Sequence, residues 1–61
     1  MSFTAQQKRE AVDRELSYRR RVFARMVENG KMTRRTMDEQ IAIFEAIRED
    51  YSNAEASERL I

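Results

Sequence analysis

The sequence predicts an all-α fold, an antiparallel two-helix hairpin, and three observations carry that prediction. The chain has no proline, and its single glycine, Gly30, sits near its middle. Large apolar residues recur at three- and four-residue spacing on both sides of that glycine, and no stretch alternates as a strand does. A threonine suited to cap a helix precedes each periodic run, Thr4 in the first half and Thr33 in the second.

Helix one is expected over about residues 4–29. Thr4 with Gln7 three positions later forms a capping box, which satisfies two of the amide donors left free at a helix start. Val12, Leu16, Phe23, Met26 and Val27 then fall within roughly 100° of one another on a 3.6-residue wheel, with Val22 on the flank. Asn29-Gly30 reads as the stop, because glycine takes the left-handed conformation that ends many helices. Residues 30–33 form the turn, and a loop this short forces the second helix to return antiparallel.

Helix two is expected from about residue 34 to about 51, with Met37, Ile41, Phe44, Ile47 and Tyr51 as its stripe and Ile43 widening it. Its end has two readings. Glu49 and Asp50 carry the wrong sign for the negative pole of a helix dipole, so a stop at Tyr51 is poorly supported. Residues 54–59 are good helix formers with a Glu55–Arg59 pair at i,i+4, so the helix either runs on to about 59 or frays after 51.

Folding at the turn pairs positions whose numbers add to about 63. Phe23 then faces Ile41, Leu16 faces Ile47 and Arg48, Val12 faces Tyr51, and Glu15 comes near Arg48. Both seams follow coiled-coil spacing and each is interrupted by one cation, Arg19 or Arg48. Either these side chains lay their stems along the core and reach solvent, or they form ion pairs, with Glu15–Arg48 the leading pair.

The stripe on helix two spans roughly 160° once Ile43 is counted, more than one neighbouring helix covers. Seven of the apolar residues are alanines, and 61 residues fall below the size at which a single core usually suffices. The expected solution is a homodimer in which two hairpins close a four-helix bundle, with Val22, Ile43 and Ile47 at the dimer interface.

Composition narrows the function classes. The absence of cysteine and histidine removes thiolate chemistry, the commonest metal ligand and the usual activator of a serine, and one glycine cannot make a phosphate-cradling loop. The chain is therefore expected to be neither an enzyme nor a cofactor or metal binder. No 18-residue apolar run or secretory leader pattern is present, so a cytoplasmic location is expected.

Net charge is +1 but it is unevenly spread. Residues 19–35 hold seven cations against Glu28 alone, and residues 36–61 hold two cations against seven carboxylates. The hairpin thus has a basic pole at the turn. Arg34 and Arg35 oppose the dipole of the helix they start, which suits a contact with phosphate or an acidic partner, or else a solvated face paired to Asp38 and Glu39. Tyr18, Arg21, Arg25, Arg34 and Arg35 are the candidate partner-binding residues; Tyr18 lies off the apolar stripe, where a partner anchor would sit. A nucleic-acid contact through the same pole is the alternative, weakened by the scarcity of cations on any one exposed face.

Three runs carry a family likeness: Tyr18-Arg19-Arg20-Arg21-Val22-Phe23, Met26-Val27-Glu28-Asn29-Gly30-Lys31-Met32-Thr33, and Ile41-Ala42-Ile43-Phe44-Glu45-Ala46-Ile47-Arg48-Glu49-Asp50-Tyr51. Over residues 18–51 the chain resembles short helical-hairpin proteins encoded by bacteriophages and prophages. That resemblance attaches no activity to any residue. It implies a context, binding and inhibition of a host regulator or defence protein.

Overall fold

The computed structural model describes residues 2–59, which form two α-helices, α1 (Ala5–Glu28) and α2 (Arg34–Arg59), folded back on each other as a hairpin. The expected caps are in place. Thr4 is extended, its hydroxyl accepts the Gln7 amide at 3.1 Å, and the Gln7 side chain accepts the Thr4 amide at 2.9 Å. At the other end Gly30 takes φ +74°, its amide bonds to the Val27 carbonyl, and the Lys31 amide reaches the Met26 carbonyl at 2.8 Å. This double closure satisfies carbonyls that the helix leaves free. Thr33 caps α2 by accepting the Thr36 amide at 3.1 Å.

Of the two endings the sequence allowed, α2 takes the long one and continues past Tyr51 to Arg59. No breaker follows Asp50, and Arg59 places a cation in the last turn, where the dipole favours it. The extra turns are also anchored from the other helix. Arg9 of α1 binds Glu55 at 2.5 Å, and Glu58 accepts the Ala5 amide at 3.4 Å.

The expected register holds, with one correction. Arg9–Glu55, Arg20–Glu45 and the Arg19–Phe44 contact fall where a fold at residues 30–33 puts them. Arg48, however, pairs with Asp13 and not with Glu15. Two residues along a helix amount to about 200°, so Asp13 and Glu15 lie on opposite flanks of α1, and only Asp13 is on the flank Arg48 faces. Glu15 instead holds Arg19 one turn on, at 2.8 Å. Arg19 is neither a free snorkel nor an inter-helix ion pair. Its guanidinium lies 4.4 Å from the centre of the Phe44 ring and 5.8 Å from that of Phe23, a cationic lid on an aromatic pair.

The core is thin. Among the described residues only Ala5 and Leu16 are buried apolar side chains, and Val12, Phe23, Ile41, Phe44 and Ile47 stay half-buried. The hairpin measures 48 × 19 × 16 Å with a radius of gyration of 14.2 Å, against about 10.5 Å for a compact chain of this length. Two rods side by side share one seam, and most of each rod faces outward.

What closes the open end is a chain of alternating charges. Arg48 binds Asp13, Asp13 binds Arg9 at 2.7 Å, Arg9 binds Glu55, and Glu55 binds Arg59 at 2.8 Å. Glu55 is the one buried charged residue among those described, and both its carboxylate oxygens are occupied. The hydrogen bond from Arg48 holds the Asp13 carboxyl below its ordinary 3.8 against the opposing effect of burial. Arg9 chiefly, then Arg59, holds Glu55 below its ordinary 4.5, and Glu55 in turn raises Arg9.

Two outcomes follow from this network. Both carboxyls have folded values below their unfolded ones, so their contribution is complete above the unfolded range and disappears as pH falls through the folded values. Thermal midpoints followed by circular dichroism should be level from about pH 7 to about pH 5 and drop below about pH 4, and Glu55→Gln should lower the midpoint at neutral pH while flattening the acid limb. In a double-mutant cycle, Asp13→Ala and Arg48→Ala should couple, whereas Glu15→Ala and Arg48→Ala should add. Additivity for the first pair would mean that the Asp13–Arg48 bond does not persist in solution.

Candidate partner-binding surfaces

A helix advances about 100° per residue, so the hairpin's two broad sides can be assigned from its contacts. Arg9–Glu55, Asp13–Arg48 and Arg20–Glu45 bridge the helices along one side. Val22 and Met26 turn to the opposite side of α1, and Ile43 and Ile47 to the same opposite side of α2. One side is therefore ionic and the other apolar. Ile43 is 52% exposed there, and Val22 and Ile47 are half-buried. The Glu15–Arg19 pair crosses this apolar side beside Phe44.

A third surface is the outer face of α1, turned away from α2. Tyr18 stands on it with its side chain free, 55% exposed. Arg21 and Arg25 follow at i+3 and i+7, and Arg14 precedes at i−4, so the four form one stripe. Arg14 was not among the candidates read from the sequence. Its i−4 spacing from Tyr18 was visible, but an isolated cation beside Glu10 gave no reason to select it. At the N-terminal end of the stripe, Phe3 is 60% exposed and walls a shallow depression lined by Gln7, Lys8, Glu10, Ala11 and Arg14.

The pairing pattern of the arginines separates structural cations from free ones. Of the ten arginines, Arg9, Arg19, Arg20, Arg35, Arg48 and Arg59 each have a carboxylate within 4.0 Å among the described residues. Arg14, Arg21, Arg25 and Arg34 have none there, and three of these four lie on the outer stripe of α1. Arg21 and Arg25 are also i,i+4 neighbours of like charge, an arrangement that opposes helix formation.

The five candidate partner-binding residues do not form a single patch. Tyr18, Arg21 and Arg25 share the outer face of α1. Arg34 and Arg35 stand at the turn on α2, and Arg35, bound to Glu39 at 3.7 Å, projects from the outer side of α2, across the hairpin from Arg25. The three candidate interface residues, Val22, Ile43 and Ile47, do share one side. Among the described residues no helix is long and apolar enough to cross a membrane. Comparison with protein-family models, with curated proteins and with solved structures gives no match to this chain.

Proposed function

We propose that this chain is a non-enzymatic protein-binding module that works as a homodimer. Two hairpins join through the apolar sides carrying Val22, Ile43 and Ile47, closing a four-helix bundle and leaving the outer stripe of α1 free. Tyr18, Arg21 and Arg25 make the partner contact, with Arg34 and Arg35 adding positive field from the turn. In keeping with the phage-encoded hairpins it resembles, the partner is a host regulator or defence protein in the bacterial cytoplasm, and the effect of binding is inhibitory.

The observation that carries the dimer is an excess of surface. A compact chain of 7.3 kDa would expose about 4,200 Å². This hairpin exposes 5001 Å². The difference, about 800 Å², is what one partner contributes to a standard interface. A second hairpin on the apolar side removes such an area and would cover Ile43, the most exposed aliphatic side chain on that side. Charge permits it, because the Glu15–Arg19 pair crossing that side is already internally neutralised.

A nucleic-acid contact is the second reading, favoured by the unpaired cations of α1. Against it stand the net charge of +1 and the seven carboxylates of residues 36–61.

Sedimentation at micromolar concentration should give a dimer whose helicity falls on dilution, since the stability of a dimer depends on its concentration. Ile43→Asp is the informative variant. In a lone hairpin the new carboxylate sits largely in water, whereas in the dimer it is buried without a partner. It should shift the protein to monomer; a wild-type chain that is monomeric and unfolds cooperatively at the same concentration would rule the dimer out. Duplex DNA binding should be weak and nearly gone at about 150 mM salt, with a log–log slope near −0.9 per neutralised phosphate. Submicromolar, sequence-selective binding at that salt would put the nucleic-acid reading first.

A further inference from the structure

We infer that the outer stripe of α1 docks an acidic helical segment of its partner protein, about three turns long, that lies along α1 with carboxylates facing Arg14, Arg21 and Arg25 and an apolar residue against Tyr18. This rests on the reading of the chain as a protein-binding module and names the chemistry of the partner.

The fold leaves positive charge over on this face. The fold neutralises Arg9, Arg19, Arg20, Arg35, Arg48 and Arg59 with its own carboxylates, yet Arg14, Arg21 and Arg25 have none within 4.0 Å among the described residues. A guanidinium presents a planar fork of donors that fits a carboxylate through two parallel bonds. Three such forks on one helix face, two of them repelling each other, form a surface whose electrostatic energy improves when carboxylates arrive.

The spacing of these residues suits a helical occupant. Arg14, Tyr18, Arg21 and Arg25 recur at i, i+4, i+7 and i+11, the repeat by which one helix presents a straight edge to another. The stripe is about 17 Å long at 1.5 Å per residue. Tyr18, 55% exposed between the cations, supplies the aromatic anchor that helix-binding surfaces place among charged neighbours.

The limited length of the stripe favours a helix over a nucleic acid. Glu10 lies one turn before Arg14 and Glu28 less than one turn after Arg25, so the stripe is closed by carboxylates at both ends. The positive field is thereby confined to about three turns of α1, a length that a short helix matches and that a duplex phosphate backbone would overrun. A short helix with discrete acidic positions fits between these carboxylates.

The test uses the full chain at about 150 mM salt and four probes. They are an alanine-based stapled helix with Glu at i, i+7 and i+11 and leucine at i+4, its Lys-for-Glu counterpart, a scrambled acidic peptide of equal charge, and a short DNA duplex. The acidic helix should bind in the tens-of-micromolar range and the Lys helix should not. Arg21→Glu with Arg25→Glu should weaken binding at least tenfold and Tyr18→Ala several-fold. Arg34→Glu with Arg35→Glu should change it less than threefold. All of these side chains are exposed, so circular dichroism should report an unchanged fold for every variant. Equal binding of the scrambled peptide would overturn the helical segment in favour of bare charge. No binding of the acidic helix by an intact dimer would overturn this inference while leaving the module reading in place. Tighter binding of the duplex would overturn both. Salt-sensitive assembly beyond the dimer that disappears with Arg21→Glu would assign the stripe to the acidic α2 of a second copy.

Discussion

A pair of helices has a single seam, and that geometric limit governs the rest of this molecule. In a larger bundle each helix buries two or three flanks; here each buries one. Leu16 is buried because it points straight at α2, while Phe23, Phe44 and Ile47, only a little to either side, keep contact with water. The apolar residues are numerous enough for a small domain, but the architecture lacks the walls to cover them. At the edges of the seam, charged residues such as Arg9, Asp13 and Arg48 are paired, while apolar ones such as Ile43 stay in contact with water.

The two sides of the hairpin resolve that condition differently. On the ionic side, arginine and carboxylate alternate from Arg48 through Asp13, Arg9 and Glu55 to Arg59, crossing between the helices twice. Glu55 can be buried because two guanidinia occupy its oxygens, which offsets the loss of hydration. A network of this kind favours one register, since sliding α2 by a turn would leave Glu55 without Arg9. On the apolar side nothing comparable exists, and a single cation, Arg19, covers the aromatic pair of Phe23 and Phe44. One side is finished within the chain and the other is suited to a partner.

The surplus arginines stand apart from both solutions. Arg14, Arg21 and Arg25 make no ion pair that closes the hairpin among the described residues, and the i,i+4 repulsion between Arg21 and Arg25 works against α1. Local rules broken without a compensating contact inside the fold mark the places where function constrains a sequence. Tyr18 belongs with them, as a large aromatic side chain left more than half exposed on the face opposite the seam. This separation of structural from surplus charge is the basis for placing the partner contact on the outer face of α1.

Much of this was legible in the linear sequence, because it depends on local chemistry. The Thr4–Gln7 box, the left-handed Gly30, the Thr33 cap and the 3.6-residue stripes involve residues within one turn of each other, and the short loop then dictates antiparallel pairing and its register. The sidedness of Val22, Ile43 and Ile47 follows from the same periodicity. The tertiary structure alone decided three matters. Arg48 chose Asp13 over Glu15 because two residues on a helix reverse the flank, and Arg19 had already taken Glu15. Of the two endings open to α2, the long one is anchored by Arg9, 46 residues away in sequence, which holds Glu55 in place. Which arginines remained unpaired among the described residues, Arg14 among them, depended on carboxylates of both helices: Arg19, Arg35 and Arg59 pair within their own helix, and Arg9, Arg20 and Arg48 reach the opposite one. Spacing along one helix fixes directions, whereas the partner of a long, charged side chain is settled by competition across the seam, which exists only once the hairpin has closed.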